Sequence, residues 1–170
     1  LAQHIGENFA ELMASQLNKV TAMDVRAIRN GDRVKNGTVY IAPVEERLRI
    51  NRDGVMFFDR EIRPRLYKPC IDFVMEEVAL RYGNQAGAIV FSGMGDDGTE
   101  GVKIIARCGG TVWAQTPETC IISSMPDCAR NTGYVSFSGS PEMLALRLVQ
   151  EISVLPSDQF ENVVDFRSRH

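Results

Sequence analysis

The sequence predicts an α/β domain, a doubly wound and mostly parallel sheet with an inserted antiparallel hairpin. Three observations predict it. Segments with apolar residues at helical spacing alternate with short extended segments, the pattern of a parallel sheet wrapped by helices. One extended run, Ala86 to Phe91, is apolar almost throughout, as a strand covered on both faces requires. A glycine-rich loop follows that run directly and opens a helix, and ligands of such sheets gather at this edge. The 170 residues suit a single domain. Its expected extent is residues 1–154, with 155–170 as a polar C-terminal tail without a clear period.

Phe9, Leu12, Met13, Leu17 and Val20 recur at helical spacing and place a helix over Glu7 to Asn18. Asp24 to Ile28 reads as extended. Asn30-Gly31-Asp32 and Lys35-Asn36-Gly37 are turn signals. Thr38 to Ile41 and Arg47 to Ile50 are short strands, and Asn51-Arg52-Asp53-Gly54 turns the second into a return strand over Val55 to Phe58. Asp59 to Pro69 is charged, contains prolines and reads as a loop. Ile71, Val74, Met75, Val78 and Leu80 mark a helix ending near Gly83. After the Ala86 strand and its glycine loop, Val102, Ile104, Ile105 and Ala106 mark a helix that Gly109-Gly110 stops. Thr111 to Ala114 is a strand, Met125 to Asn131 a short helix and Tyr134 to Phe137 a further strand. Pro141 starts a last helix, expected to run to about Ser153.

Composition narrows the function. Hydrophobic residues are 44% and charged residues 24%, which excludes a disordered tail, a collagen-like rod and a disulfide-dense miniprotein. No apolar run approaches the roughly 20 residues of a membrane helix, so no membrane insertion is expected. The net charge is -3 and no basic cluster stands out, so no nucleic-acid partner is expected. Cys70, Cys108, Cys120 and Cys128 match neither a zinc pattern nor a redox pair, and read as reduced thiols of a cytoplasmic protein. The sequence starts at Leu1 rather than methionine, and reads as a piece of something longer.

The most informative stretch is Ser92-Gly93-Met94-Gly95-Asp96-Asp97-Gly98. Its glycines formally satisfy a dinucleotide fingerprint, in which a helix amino terminus holds a pyrophosphate. Asp96 and Asp97 argue against it. At about 4 Å a like-charge contact costs roughly 1 kcal/mol in water, and several times that at an effective dielectric near 20. One acid is expected to cap the following helix. The other is left to orient a histidine or bind a metal. His170 is terminal. His4 precedes the first helix at a strand-to-helix edge. A carboxylate on one of its ring nitrogens would leave the other as a general base.

These residues resemble a known family. Gln3-His4 followed by Phe9, Gly37-Thr38-Val39-Tyr40-Ile41-Ala42-Pro43, Lys68-Pro69-Cys70-Ile71-Asp72, the Gly93 to Gly98 loop, Ala114-Gln115 and Met125-Pro126 agree in order and spacing with landmarks of the CheB family. These are the chemotaxis protein-glutamate methylesterases, and the resemblance is to their catalytic domain. It implies a Ser-His-Asp catalytic triad that hydrolyses glutamyl γ-methyl esters on chemoreceptors, giving glutamate and methanol; some members also deamidate receptor glutamines. By motif, His4 is the general base, Asp97 its orienting carboxylate, and Met94 lends a backbone N–H to the oxyanion site. The resemblance implies no cofactor and no metal. It implies the cytoplasmic domain of a methylated chemoreceptor as partner and a receiver domain upstream.

The chain also departs from the family. The nucleophilic serine belongs to a Gly-Ala-Ser-Thr-Gly-Gly turn before the histidine, and no such turn occurs here. It is expected upstream of Leu1, together with the first central strand of the sheet. On that reading these 170 residues alone are inactive, and a non-catalytic module that binds receptor or signalling proteins is the alternative. Ser92, Ser123 and Ser124 are poor substitutes for the nucleophile. Cys70 stands for a serine, Arg47 for a histidine and Ser124 for a glycine, where a side chain is expected to crowd the turn. A metal-dependent hydrolase built on Asp96, Asp97 and His4 is a third reading.

Overall fold

In the computed structural model, the described residues are 1–42, 47–59 and 71–154. Helix α1 (Glu7–Leu17) places Ala10 and Ala14 against Val25 and Ala27 of β1 (Asp24–Ala27) and Ile41 of β2 (Thr38–Ile41). Alanine at the contact lets the helix lie close to the strands. β1 and β2 pair in parallel, and Ala2 extends the group by a parallel bridge to Ala42. Asn18, just past α1, donates its amide to the Val25 carbonyl at 2.7 Å and accepts the Val25 N–H at 2.9 Å.

β3 (Arg47–Ile50) and β4 (Met56–Asp59) form the expected antiparallel hairpin. Asn51 Oδ1 accepts the N–H groups of Asp53 and Val55 and so holds its turn. The hairpin leans on α2 (Ile71–Tyr82). Arg47 bonds Glu76 at 2.9 Å and lies over the Phe73 ring, and Glu77 accepts the Ile50 N–H at 2.8 Å. Beneath it, Leu48 and Met56 share a core with Ile28 and Ala42.

The second parallel group has the order β5 (Gly87–Val90), β6 (Thr111–Gln115), β7 (Phe137–Gly139). It is covered by α3 (Thr99–Arg107) and α4 (Ser124–Asn131), and α5 (Pro141–Val154) follows β7. Val102 and Ile105 are fully buried with Val90, Val112 and Ala129. The last strand lies later than the expected Tyr134 to Phe137. Its register is set by Phe137, whose ring meets Trp113 edge-on at 6.0 Å opposite it on β6. Within the described residues the two parallel groups are not hydrogen-bonded to each other, and β5 carries no partner on its outer edge. A cavity of about 900 Å³, lined in part by Val34, Tyr82, Ile89 and Leu148, opens beside that edge. The expected loop at 60–69, Cys70 and the expected tail at 155–170 lie outside the described residues.

Candidate active site

The loops that follow the carboxyl ends of the parallel strands bring the informative residues together. Ala2 pairs with Ala42, just past β2, and the chain then turns into α1 with His4 at the turn. Asp97 lies between β5 and α3. Although 93 residues separate them, His4 Nε2 and Asp97 Oδ2 are 2.9 Å apart. An ionised carboxylate can only accept, so this contact puts the proton on Nε2 and the basic lone pair on Nδ1. The His4 side chain is 35% exposed and that of Asp97 only 3%, so the acid is fixed and the imidazole reaches solvent.

What fixes Asp97 is not its own helix. Both Asp96 and Asp97 were candidates to cap α3, yet Gly98 holds the N-cap position with no side-chain cap. Gly98 has φ +97°, a left-handed conformation that L side chains rarely adopt, and its site faces Ile71. The Asp97 carboxylate instead caps α2. Oδ2 accepts the Ile71 N–H at 2.8 Å and Oδ1 that of Asp72 at 3.2 Å. Asp72 returns the exchange by accepting the Gly101 N–H of α3 at 2.7 Å. The first turn of α2 therefore takes a carboxylate from the loop before α3, and the first turn of α3 takes one from α2, where unpaired N–H groups and the helix dipole favour one. The crossing is close enough that a Cβ on Gly101 would stand 2.6 Å from that of Met75.

Beside this pair, two loops are stitched together. Gly93 N–H donates to the Ile122 carbonyl at 2.9 Å, and Ser92 Oγ both donates to that carbonyl and accepts the Ile122 N–H at 3.1 Å. Buried Gln115 accepts the Ser92 N–H at 2.8 Å. Met94 sits at the tip, 75% exposed, and its N–H meets no acceptor among the described residues.

Comparison with known proteins decides the family. The profile described as CheB methylesterase matches residues 1–148. The chain belongs to the CheB methylesterase family. It is 32% identical over 154 residues to a protein-glutamate methylesterase/protein-glutamine glutaminase of Saccharophagus degradans, covering 89% of this chain and 42% of that protein. A Shewanella frigidimarina relative of the same description is 32% identical over 156 residues, covering 90% and 39%. The solved CheB methylesterase catalytic domain of Thermotoga maritima superposes with a TM-score of 0.82 at 30% identity, covering 88% of this chain and 80% of that one. The chain thus has the CheB catalytic-domain fold and spans about two-fifths of the length of those curated relatives.

In this CheB-family chain the hydroxyls first considered as nucleophiles are engaged elsewhere. Ser92 Oγ donates to the Ile122 carbonyl, Ser123 Oγ to Asp127 at 2.6 Å and Ser124 Oγ to the Gly93 carbonyl at 3.1 Å. Ser124 does not crowd its turn, because its Oγ also accepts the Gly95 N–H at 3.0 Å. Asp96, by contrast with Asp97, is exposed. Among the described residues no group of three His, Cys, Asp or Glu side chains is placed to hold a metal ion, and the oxygens of Asp97 face N–H donors. Sequence reasoning missed the exchange between Asp72 and Asp97 and the work of Ser124. Asp72 was visible only as part of a motif, and the signal for both lay in contacts between distant elements.

Proposed function

We propose that the protein carrying these residues hydrolyses glutamyl γ-methyl esters on the cytoplasmic domain of a chemoreceptor. The supporting observation is the 2.9 Å contact between His4 and Asp97, with the imidazole open to solvent and the carboxylate buried. Asp97 holds the Nε2–H tautomer. His4 Nδ1 accepts the proton of a nucleophilic hydroxyl as it attacks the ester carbonyl. The resemblance assigns that hydroxyl to a serine outside the 170 residues. The Met94 N–H donates to the developing oxyanion. When the tetrahedral intermediate collapses, the proton on His4 passes to the leaving methoxide, which departs as methanol. Water, activated by the same imidazole, then releases glutamate. No step calls for a cofactor.

The relatives are named for glutamine deamidation as well as for this activity. The same cycle delivers it if ammonia leaves in place of methanol. We further propose that residues 1–154 belong to a catalytic domain that a segment upstream of Leu1 completes, and that it works in the cytoplasm beside an upstream receiver domain. No helix among the described residues is long and apolar enough to cross a membrane. A receptor-binding module without turnover is the second reading, favoured by the commitment of the Ser92, Ser123 and Ser124 hydroxyls to other partners.

The test is methanol release from a methylated receptor domain by the full-length protein, compared with His4→Gln. Loss of the imidazole should lower kcat by at least about a thousandfold with substrate binding retained. Turnover that survives His4→Gln rejects the mechanism, and receptor binding without any methanol release establishes the second reading.

A further inference from the structure

We propose that Ser124 is a positioning residue for the oxyanion donor, a role that rests on the esterase reading above. Ser124 opens α4, and its Oγ grips the backbone on either side of Met94. It donates to the Gly93 carbonyl at 3.1 Å, and the Met125 N–H donates to the same oxygen at 3.1 Å. The Gly93 carbonyl and the Met94 N–H belong to one planar trans peptide, so they point in opposite directions. Drawing the carbonyl toward α4 therefore aims the Met94 N–H away from α4. The next peptide is held in the same way, because Ser124 Oγ accepts the Gly95 N–H at 3.0 Å. Gly95 has φ +94°, so no side chain stabilises this bend from within. Two successive peptide planes thus share one hydroxyl, the first of them held also by the Met125 N–H, and the N–H between them meets no acceptor among the described residues. The family resemblance places a glycine at this position, so the hydroxyl clamp is a feature of this chain.

The experiment is steady-state methanol release by the full-length protein from a methylated receptor domain, with Ser124→Ala, Ser124→Thr and Ser124→Val, each first checked by thermal melting. Removing an oxyanion donor outright costs roughly 10²–10³ in kcat, and misaiming one costs part of that, so Ser124→Ala should lower kcat about tenfold. KM should stay within about twofold, because the loss falls on the transition state rather than on binding. Ser124→Thr, which keeps the hydroxyl, should restore most of the rate. Ser124→Val, of the same shape without it, should not; this pair decides the matter if Ser124→Ala melts below the assay temperature. An active wild type whose kcat is unchanged by Ser124→Ala, or equal in the Thr and Val variants, overturns the role and leaves the esterase reading intact. A rise in KM alone also overturns it, since the hydroxyl would then be meeting substrate. A wild type that releases no methanol rejects the esterase reading and this role together.

Discussion

Asp97→Ala should cost far more stability than His4→Ala, although the two residues form one pair. The Asp97 side chain is only 3% exposed and accepts the N–H groups of Ile71 and Asp72 as well as meeting His4. Alanine leaves those backbone donors buried and unpaired. Each of the two groups costs roughly 1–3 kcal/mol, and loss of a carboxylate at a helix amino terminus adds about 0.3–1 kcal/mol, so the sum is about 2–7 kcal/mol. Asparagine keeps one acceptor oxygen and should cost about 1–3 kcal/mol. His4 is 35% exposed, and a partly solvated pair of this kind contributes about 0–1 kcal/mol. Urea unfolding of the three variants measures the difference. With a slope near 2 kcal/mol per molar, Asp97→Ala should lower the midpoint by about 1–3.5 M, and His4→Ala by less than about 0.5 M. Equal midpoints for these two variants, at unchanged slope, would refute the claim that Asp97 is the acceptor on which the start of α2 depends.

Gly101→Ala places a Cβ 2.6 Å from that of Met75, and should destabilise by about 1–3 kcal/mol despite the better helix propensity of alanine. Met75→Ala keeps that Cβ and removes only the Sδ and Cγ contacts at 2.8 and 3.1 Å, so a double-mutant cycle read by urea unfolding should show a coupling smaller than the full loss. Hydrogen bonds from Ser123 and Arg130 hold the Asp127 carboxyl below its ordinary value of about 3.8. A depressed folded-state value means the stabilisation is complete above pH 4 to 5 and is lost as acid takes the pH down through the folded-state value. Melting temperatures of Ser123→Ala and wild type should therefore differ near neutrality and converge in acid.

The element order was legible because each helix and strand carries its own period. Helix α1 was placed from Phe9, Leu12, Met13 and Leu17 to within a residue of its observed end at Leu17, and the β3–β4 hairpin from its Asn51 turn. The site was legible as a set of motifs. Its wiring was not. Expecting either Asp96 or Asp97 to cap α3 assumed that the nearest amino terminus in sequence is the nearest in space. The close crossing at Gly101 and Met75 brings the start of α2 to Asp97 instead. A side chain at position 124 looked obstructive because the two loops that its hydroxyl joins are 31 residues apart in sequence. β7 was misplaced because the contact between Phe137 and Trp113, not local pattern, sets its register.

The margins of the two parallel groups are finished differently. At β1 the Asn18 amide satisfies Val25 in both directions, and a strand arriving there finds that residue taken. Among the described residues, the strand from Gly87 to Val90 pairs on one side only, with β6, and lines a cavity. A row of unanswered donors and acceptors templates pairing with whatever extended segment reaches it first.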